Sequence, residues 1–560
     1  MGQASSGCRP SCCHQEAAQR GDEGCEQRFP APAHFDFTAE HGSDCASVAG
    51  REDLDIEGVT MGACLSEAFG QNSSEAIALS LSGISSGAVR SKVLDPDLEM
   101  LRGISLTSTL LGAGQVWRYS PETFTSQQRM ALYAKSKPIK QLDMFISHTW
   151  WTPGWRKAAA LFLQSTWHLI LVSWVLCVAT TFALSVGGVL PLPFVYQANL
   201  GGFQGLCPMG CWILASGILG PLLVSFASLY VPCRSPVCFV DVACIHQEDP
   251  ALMLRGVHGI GGFLAVTREL RVLWSPPYLS RLWCIFELAA FRKANPEGKI
   301  TLAPLFIEMA VICIWSLLCL ANIVFWIARS GRNGASVVAY LITVVPFLPS
   351  VHMLRKNYLA KQKLLSDMKS FDLSLVQCYN ESDRVFIHSA ISEWYGSGRA
   401  FTRFVQGPLR NELVAPILAT NLRWPYILIF ITPTFSLSME TLASLIMGGA
   451  PAECCVAWIA GMLVANNCFV VPGGLVLLIY LCDWLAEPRG SSALWNCLQS
   501  LGICIFFMVI AMAVSAASNL LVAAGMWTAL AWLGIVGVSY LGLQVCFAGR
   551  LRQPEKAPEC

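Results

Sequence analysis

The sequence predicts a multi-pass α-helical membrane protein of about eight spans, with an inserted cytosolic α/β domain built on a parallel sheet. Three observations carry this. Of the 560 residues, 54 % are hydrophobic and only 13 % are Asp, Glu, Lys or Arg, against roughly 25 % charge in ordinary soluble domains. The charge is also unevenly spread. Residues 158–233 and 490–549 hold none, and 303–328, 333–351 and 424–482 hold only Glu308, Glu440 and Glu453. Between these stretches, short apolar runs ending in small or polar residues alternate with helical spacing, the pattern of buried parallel strands. The net charge of +1 gives no general attraction to polyanions, so no nucleic-acid partner is expected.

Taken in order, residues 1–140 read as a mostly disordered cytosolic region, rich in Gly, Ser, Ala and acidic residues and without sustained periodicity. Their start, Met1-Gly-Gln-Ala-Ser-Ser6, fits an acylation pattern at Gly2, with Cys8 beside it for a second lipid. A Ser/Gly-rich disordered start explains the same residues. Residues 141–157 hold the first strand. A spanning helix needs about 20 mostly apolar residues, and four hairpins supply such pairs, at 158–233, 305–351, 425–482 and 493–547. Pro433, Glu440 and Pro472 make the third the least regular. Residues 234–304 form the main α/β segment, 352–424 a second cytosolic segment, 483–492 a short loop and 548–560 a tail. Lys and Arg set the orientation. The loops at the far ends of the hairpins carry only Arg329 and Arg332, whereas residues 352–424, 483–492 and 548–560 carry many. Both termini are therefore expected in the cytosol.

Leu142-Asp-Met-Phe-Ile-Ser147, Val237-Cys-Phe-Val-Asp241 and Glu269-Leu-Arg-Val-Leu-Trp274 each read as a strand opening into a polar loop, and residues 299–306 as a fourth. Helical spacing covers 249–267 and 282–293. Ligands of such sheets bind outside the carboxyl ends of the strands, where Ser147, His148, Asp241 and Ser275 fall. Trp150 or Trp283 offers a flat face for stacking on a base, and His246 lies close by in sequence.

These residues resemble a known family. Asp143-Met-Phe-Ile-Ser147, Phe239-Val-Asp241, Leu302-Ala-Pro-Leu-Phe306 and above all Tyr278-Leu-Ser-Arg-Leu-Trp-Cys-Ile-Phe-Glu-Leu288 are similar to the strands and the Trp-Cys-x-x-Glu-Leu signature of Toll/interleukin-1 receptor (TIR) domains. The whole arrangement also resembles multi-pass proteins of dinoflagellate algae, a likeness that implies no activity. The TIR resemblance covers roughly 90 residues and implies a flavodoxin-like sheet used for signalling through protein partners or a second copy. In members that cleave NAD, it implies a catalytic carboxylate at Glu287. The cleft would then take in Ser147, His148, Trp150, Asp241, His246 and Trp283, with NAD as substrate and no cofactor required. Glu287 reads equally as a surface helix residue paired with Arg281 or Arg292. The family's first crossover helix is replaced here by a membrane hairpin. A fifth strand is expected from 370–376, with 383–394 as its helix.

Most of the 24 cysteines fall in apolar spans or on the reducing side. Cys207 and Cys211, in an outward loop, are the pair able to bridge. His148, Cys244, His246 and His258 share no ligand spacing beyond Cys244-x-His246. Cys12-Cys13 and Cys233-x4-Cys238 lack partners, and no metal is expected. Transport is a further class, because Glu308, Glu440 and His168 lie within apolar spans, with Asn466-Asn467 as polar company. Glu308, near the start of its helix, is expected to reach the interface.

Overall fold

The computed structural model describes residues 93–118, 123–231, 235–330, 336–418, 424–490 and 492–551, with the side chains of 336–345, 415–418 and 547–551 left aside. Gly2 and Cys8 lie outside these residues. The expectation of disorder up to 140 is corrected over 93–118 and 123–140. There β1 (Arg102–Ser105) leads into a kinked helix α1 (Leu106–Arg118), then α2 (Ser126–Lys135) and β2 (Lys137–Pro138). The kink sits at Gly112, Ala113 and Gly114, all at positive φ, where glycine costs no Cβ clash. Thr125 closes a capping box on α2 with Gln128.

β3 (Leu142–Ser147) is followed by α3 (Gly154–Val186), the hairpin β4 (Phe194–Leu200) and β5 (Phe203–Met209), and α4 (Trp212–Ser228). The chain then returns to β6 (Val237–Phe239), the short α5 (Asp241–Cys244), α6 (Pro250–His258) and α7 (Ile260–Ala265). The single helix expected over 249–267 is thus two. Asp249 caps α6, and the chain bends at Gly259. β7 (Thr267–Trp274), α8 (Leu282–Ala294) and β8 (Lys299–Pro304) complete the domain's main segment.

Six strands form one sheet in the order β2-β1-β6-β3-β7-β8. β3 pairs in parallel with β6 and β7, and β7 with β8, while β1 runs antiparallel to both β2 and β6. Within the parallel part, chain order across the sheet is second, first, third, fourth, so the topological switch lies between β3 and β7. Both faces are covered, which is why the strands read as continuous apolar runs. Leu142, Phe145, Phe239, Leu270 and Val272 are buried, and Phe145 stacks on Phe239 at 4.4 Å.

Two parallel strands run straight into the bundle. β8 passes into α9 (Leu305–Ser330) without a loop, and β3 reaches α3 through six residues. At 33 residues, α3 is about 50 Å long, longer than a bilayer core of about 30 Å. The remaining helices are α10 (Ser336–Lys369), α11 (Glu381–Tyr395), α12 (Gly398–Phe404), α13 (Arg410–Leu418) and α14 (Trp424–Met447). A continuous run then joins α15 (Ala452–Trp458), a π-helical segment Ile459–Val470 and α16 (Val471–Trp484), followed by α17 (Ala493–Ala524) and α18 (Met526–Leu551).

Among the described residues, six helices are long and apolar enough to cross a membrane: α3, α9, α14, the Ala452–Trp484 run, α17 and the apolar part of α18. α4, at 17 residues, falls short of that length. Exposed tryptophans gather at the helix ends. Trp155, Trp424, Trp484 and Trp495 lie at the sheet end, and Trp212 and Trp527 lie at the β4–β5 end, as interfacial belts do. The hairpin tip Gly201-Gly202, at positive φ, is fastened to the α17–α18 turn by Gly201 N donating to Ala523 O at 2.7 Å.

Residues 371–414 share the α/β core through Phe371, Ile387, Ile391, Trp394 and Phe401, but no fifth strand forms. Leu373–Leu375 is a 3-10 turn closed by the Asp372 carboxylate, leaving Leu375 79 % exposed. The segment instead lays α11 over α8, with one backbone bridge between Arg281 and Gln377.

Candidate functional site

The carboxyl ends of β3, β6 and β7 meet the first turn of α3 in a polar network under aromatic cover. Ser147, the last residue of β3, is fully buried. Its hydroxyl donates to the Glu287 carboxyl and shares a hydrogen bond of 2.5 Å with the Tyr278 hydroxyl. Tyr278 comes from the turn after β7 and is itself buried, with its O–H also within 3.4 Å of Cys284 O. Glu287 reaches the site from the middle of α8 and is half-buried. Burial pushes its carboxyl up to about 8, against the opposing hydrogen bond from Ser147, and the nearby Asp241 adds to the rise.

The second half of the network surrounds Trp150. Its indole N–H donates to Asp241 at 2.9 Å, and the other Asp241 oxygen accepts from Val242 N at the start of α5. Lys157, only 1 % exposed, donates to Thr149 O at 3.1 Å and lies 4.5 Å from the centre of the Trp150 ring. His148 is wedged edge-on between Trp117 of α1 and Trp150, at 5.3 and 4.7 Å. Burial, then the adjacent Lys157, hold His148 well below its ordinary value, so the imidazole is neutral. Burial likewise raises Asp241. A hydrogen bond between Thr152 and Ser275 ties the β3–α3 loop to the end of β7. Gly154 starts α3 so close to α1 that a Cβ there would lie 1.4 Å from Trp117 O.

The structure therefore gathers Ser147, His148, Trp150, Asp241 and Glu287. It does not bring Trp283 or His246 to them. Trp283 faces away, toward α11, donating to Asp383 at 3.0 Å and packing on Phe286. His246 closes the turn before α6, accepting from Asp249 N at 2.9 Å and contacting Tyr133. The expected ion pairs of Glu287 are also absent, since Arg281 lies over Trp151 and Arg292 pairs with Glu412. Sequence reasoning missed Tyr278, Lys157, Trp117 and Thr149. Tyr278 stood inside the quoted signature, whereas Lys157 was hidden as the last charge before an apolar stretch.

Among the described residues, no three His, Cys, Asp or Glu side chains gather closely enough to share a metal ion. Cys207 and Cys211 are free thiols, with Cys207 packed on Gly448. In the bundle, Glu308 does not reach the interface. It is 3 % exposed and accepts from Gln164 at 2.9 Å and Tyr426 at 3.0 Å. Glu440, 1 % exposed, accepts from Ile213 N and Leu214 N at the start of α4, while His168 is exposed and Asn467 donates to Ser438 and Met462 O.

Compared with protein-family models, with curated proteins and with solved structures, the chain matches none.

Proposed function

We propose that this chain is a membrane-held signalling module. A TIR-like domain on the cytosolic face works through protein partners or a second copy, and its carboxyl-edge network responds to the membrane bundle. The supporting observation is the position of Lys157. It belongs to the first turn of a membrane helix, yet it bonds Thr149 O and covers Trp150, which holds Asp241. Any shift of α3 along its axis changes hydrogen bonding at the strand ends, and the reverse also holds.

The state of Glu287 agrees with this reading. With its carboxyl pushed up to about 8, it is mostly protonated at neutral pH, whereas stabilising an oxocarbenium centre requires the anion. The second reading is a membrane-bound NAD hydrolase in which the Glu287 anion, beside Ser147, stabilises the oxocarbenium centre and activates the attacking water while nicotinamide leaves neutral; with the carboxyl raised to about 8, that anion is the minor form at neutral pH and grows with pH. Release of nicotinamide from NAD by the purified full chain, wild type against Glu287→Gln, separates the two. Equal background release is the expected result, and release that depends on Glu287 would establish the hydrolase instead. Glu308 and Glu440 are both engaged by protein donors, which lends transport no support.

In this reading the chain crosses the bilayer eight times, with α4 and the apolar first half of α10 completing the pairs, and both termini are cytosolic. The distribution of Lys and Arg and the two belts of exposed Trp support it. An N-glycosylation acceptor inserted at the Gly201-Gly202 tip should be modified. Modification only of one placed beside Gly396 would reverse the orientation.

A further inference from the structure

Two arginines beside the β3–α3 loop have no anion to answer them. Arg281, at the entry to α8, lays its guanidinium 4.5 Å from the ring centre of Trp151, and Arg156, in the first turn of α3, lies 5.5 Å from that of Trp155. Among the described residues, neither guanidinium has a hydrogen-bond acceptor or a carboxylate partner. Arg156 is exposed, and no nitrogen of the half-buried Arg281 is sealed from solvent. Elsewhere in the domain Arg129, Arg255, Arg268, Arg271 and Arg292 each hold an Asp or Glu. With its carboxyl pushed up to about 8, Glu287 supplies little negative charge to this edge at neutral pH.

The chemistry of the pair selects its partner. A guanidinium presents a planar fork of donors that matches phosphate oxygens, and an indole face fixes that plane without using the donors. Trp151 and Trp155 are 45 % and 50 % exposed, and they stand at the head of a helix apolar enough to cross a membrane, where exposed Trp favours the headgroup level. The cytosolic leaflet is also the one that carries anionic lipid.

We infer that Arg156 and Arg281 bind the phosphate of an anionic phospholipid headgroup. The inference rests on the membrane-held reading above and names a ligand that regulates the same network. Trp151 N donates to Thr149 Oγ1 at 3.3 Å, Thr149 O accepts from Lys157, and Trp150 holds Asp241. A lipid that fixes Trp151 therefore fixes the loop on which the strand-end hydrogen bonds depend.

The test uses full-length protein in neutral maltoside micelles, titrated with dioctanoyl phosphatidic acid, dioctanoyl phosphatidylcholine or glycerol 3-phosphate, while amide exchange is followed in peptides covering 148–157. Saturable slowing by phosphatidic acid alone is expected. An equal effect of phosphatidylcholine overturns the requirement for an anionic headgroup, and an equal effect of glycerol 3-phosphate overturns the lipid in favour of a soluble phosphate ester. Arg156→Gln and Arg281→Gln should each raise half-saturation about tenfold, the low end for a hydrogen bond between charged partners. Lys356→Gln, at an exposed position of α10, should leave it unchanged. Unchanged half-saturation in both arginine variants, or an equal rise in Lys356→Gln, overturns the site. Should either arginine variant misfold, wild-type protein decides: phosphatidic acid should shield both arginines from phenylglyoxal, and unshielded arginines refute the inference. Micelles have no sides, so a negative result refutes this site alone, whereas the glycosylation acceptor at Gly201-Gly202 tests the orientation.

Discussion

Replacing Glu287 with Gln should stabilise the protein at pH 8 and leave it nearly unchanged at pH 5. The carboxyl rises from 4.5 to about 8 on folding, mainly through burial. Between those values the folded chain holds a proton that the unfolded chain has released. Stability therefore falls as pH climbs through the window, by about 1.4 kcal/mol per unit at most. The full cost at pH 8 is at most roughly 5 kcal/mol, and solvent screening lowers it because Glu287 is only half-buried. Gln copies the protonated acid in shape and can still meet Ser147, but it never ionises. The assay is the apparent unfolding midpoint of the full chain in detergent, read by tryptophan fluorescence at a fixed scan rate from pH 5 to 9. The gap between variant and wild type should open by several degrees up to pH 8 and then level off. A gap that stays constant with pH, or a variant less stable at pH 8, refutes the assignment of a protonated Glu287.

Two further outcomes follow from packing. Gly154→Ala places a methyl against Trp117 O and cannot be absorbed by a side-chain shift. It should cost more than about 3 kcal/mol and lower the yield of folded protein, while Gly407→Ala, with nothing within 4 Å, should not; equal yields would contradict the α1–α3 contact. Arg355, 2 % exposed, donates to Leu485 O, Asn496 and Ser500. Arg355→Met leaves these neutral acceptors unsatisfied, should cost about 1–3 kcal/mol and should speed protease cleavage in 485–492, and an unchanged cleavage rate would count against this clamp.

The four parallel strands and α8 were legible because each is a compact apolar run with its own boundaries, such as Ser275-Pro-Pro277 after β7. β1 was not, since Arg102–Ser105 offers one large apolar residue and owes its strand form to pairing with β2 and β6. The alternation of Phe371, Leu373 and Leu375 suggested a strand, but Asp372 bonds Ser374 locally and turns the chain. For the site, strand-end logic found Ser147, His148 and Asp241. The expectation that Trp283 stacks in the cleft failed because its partner, Asp383, lies 100 residues away, and Lys157 was missed because its bond to Thr149 O depends on the fold of the β3–α3 loop. The π-helical register of Ile459–Val470 leaves no signature in apolar composition.

The entry of β3 and β8 into α3 and α9 also sets an order of assembly. β3 is the central strand, yet its neighbour β6 is synthesised only after both helices of the first hairpin. During translation it must wait as an unpaired apolar edge. On the eight-span reading proposed above, the sheet can close only after that hairpin has inserted with its ends on one side, so a closed domain would certify correct insertion. A misrouted hairpin leaves β3 exposed, as a mark by which quality control can recognise the failed chain.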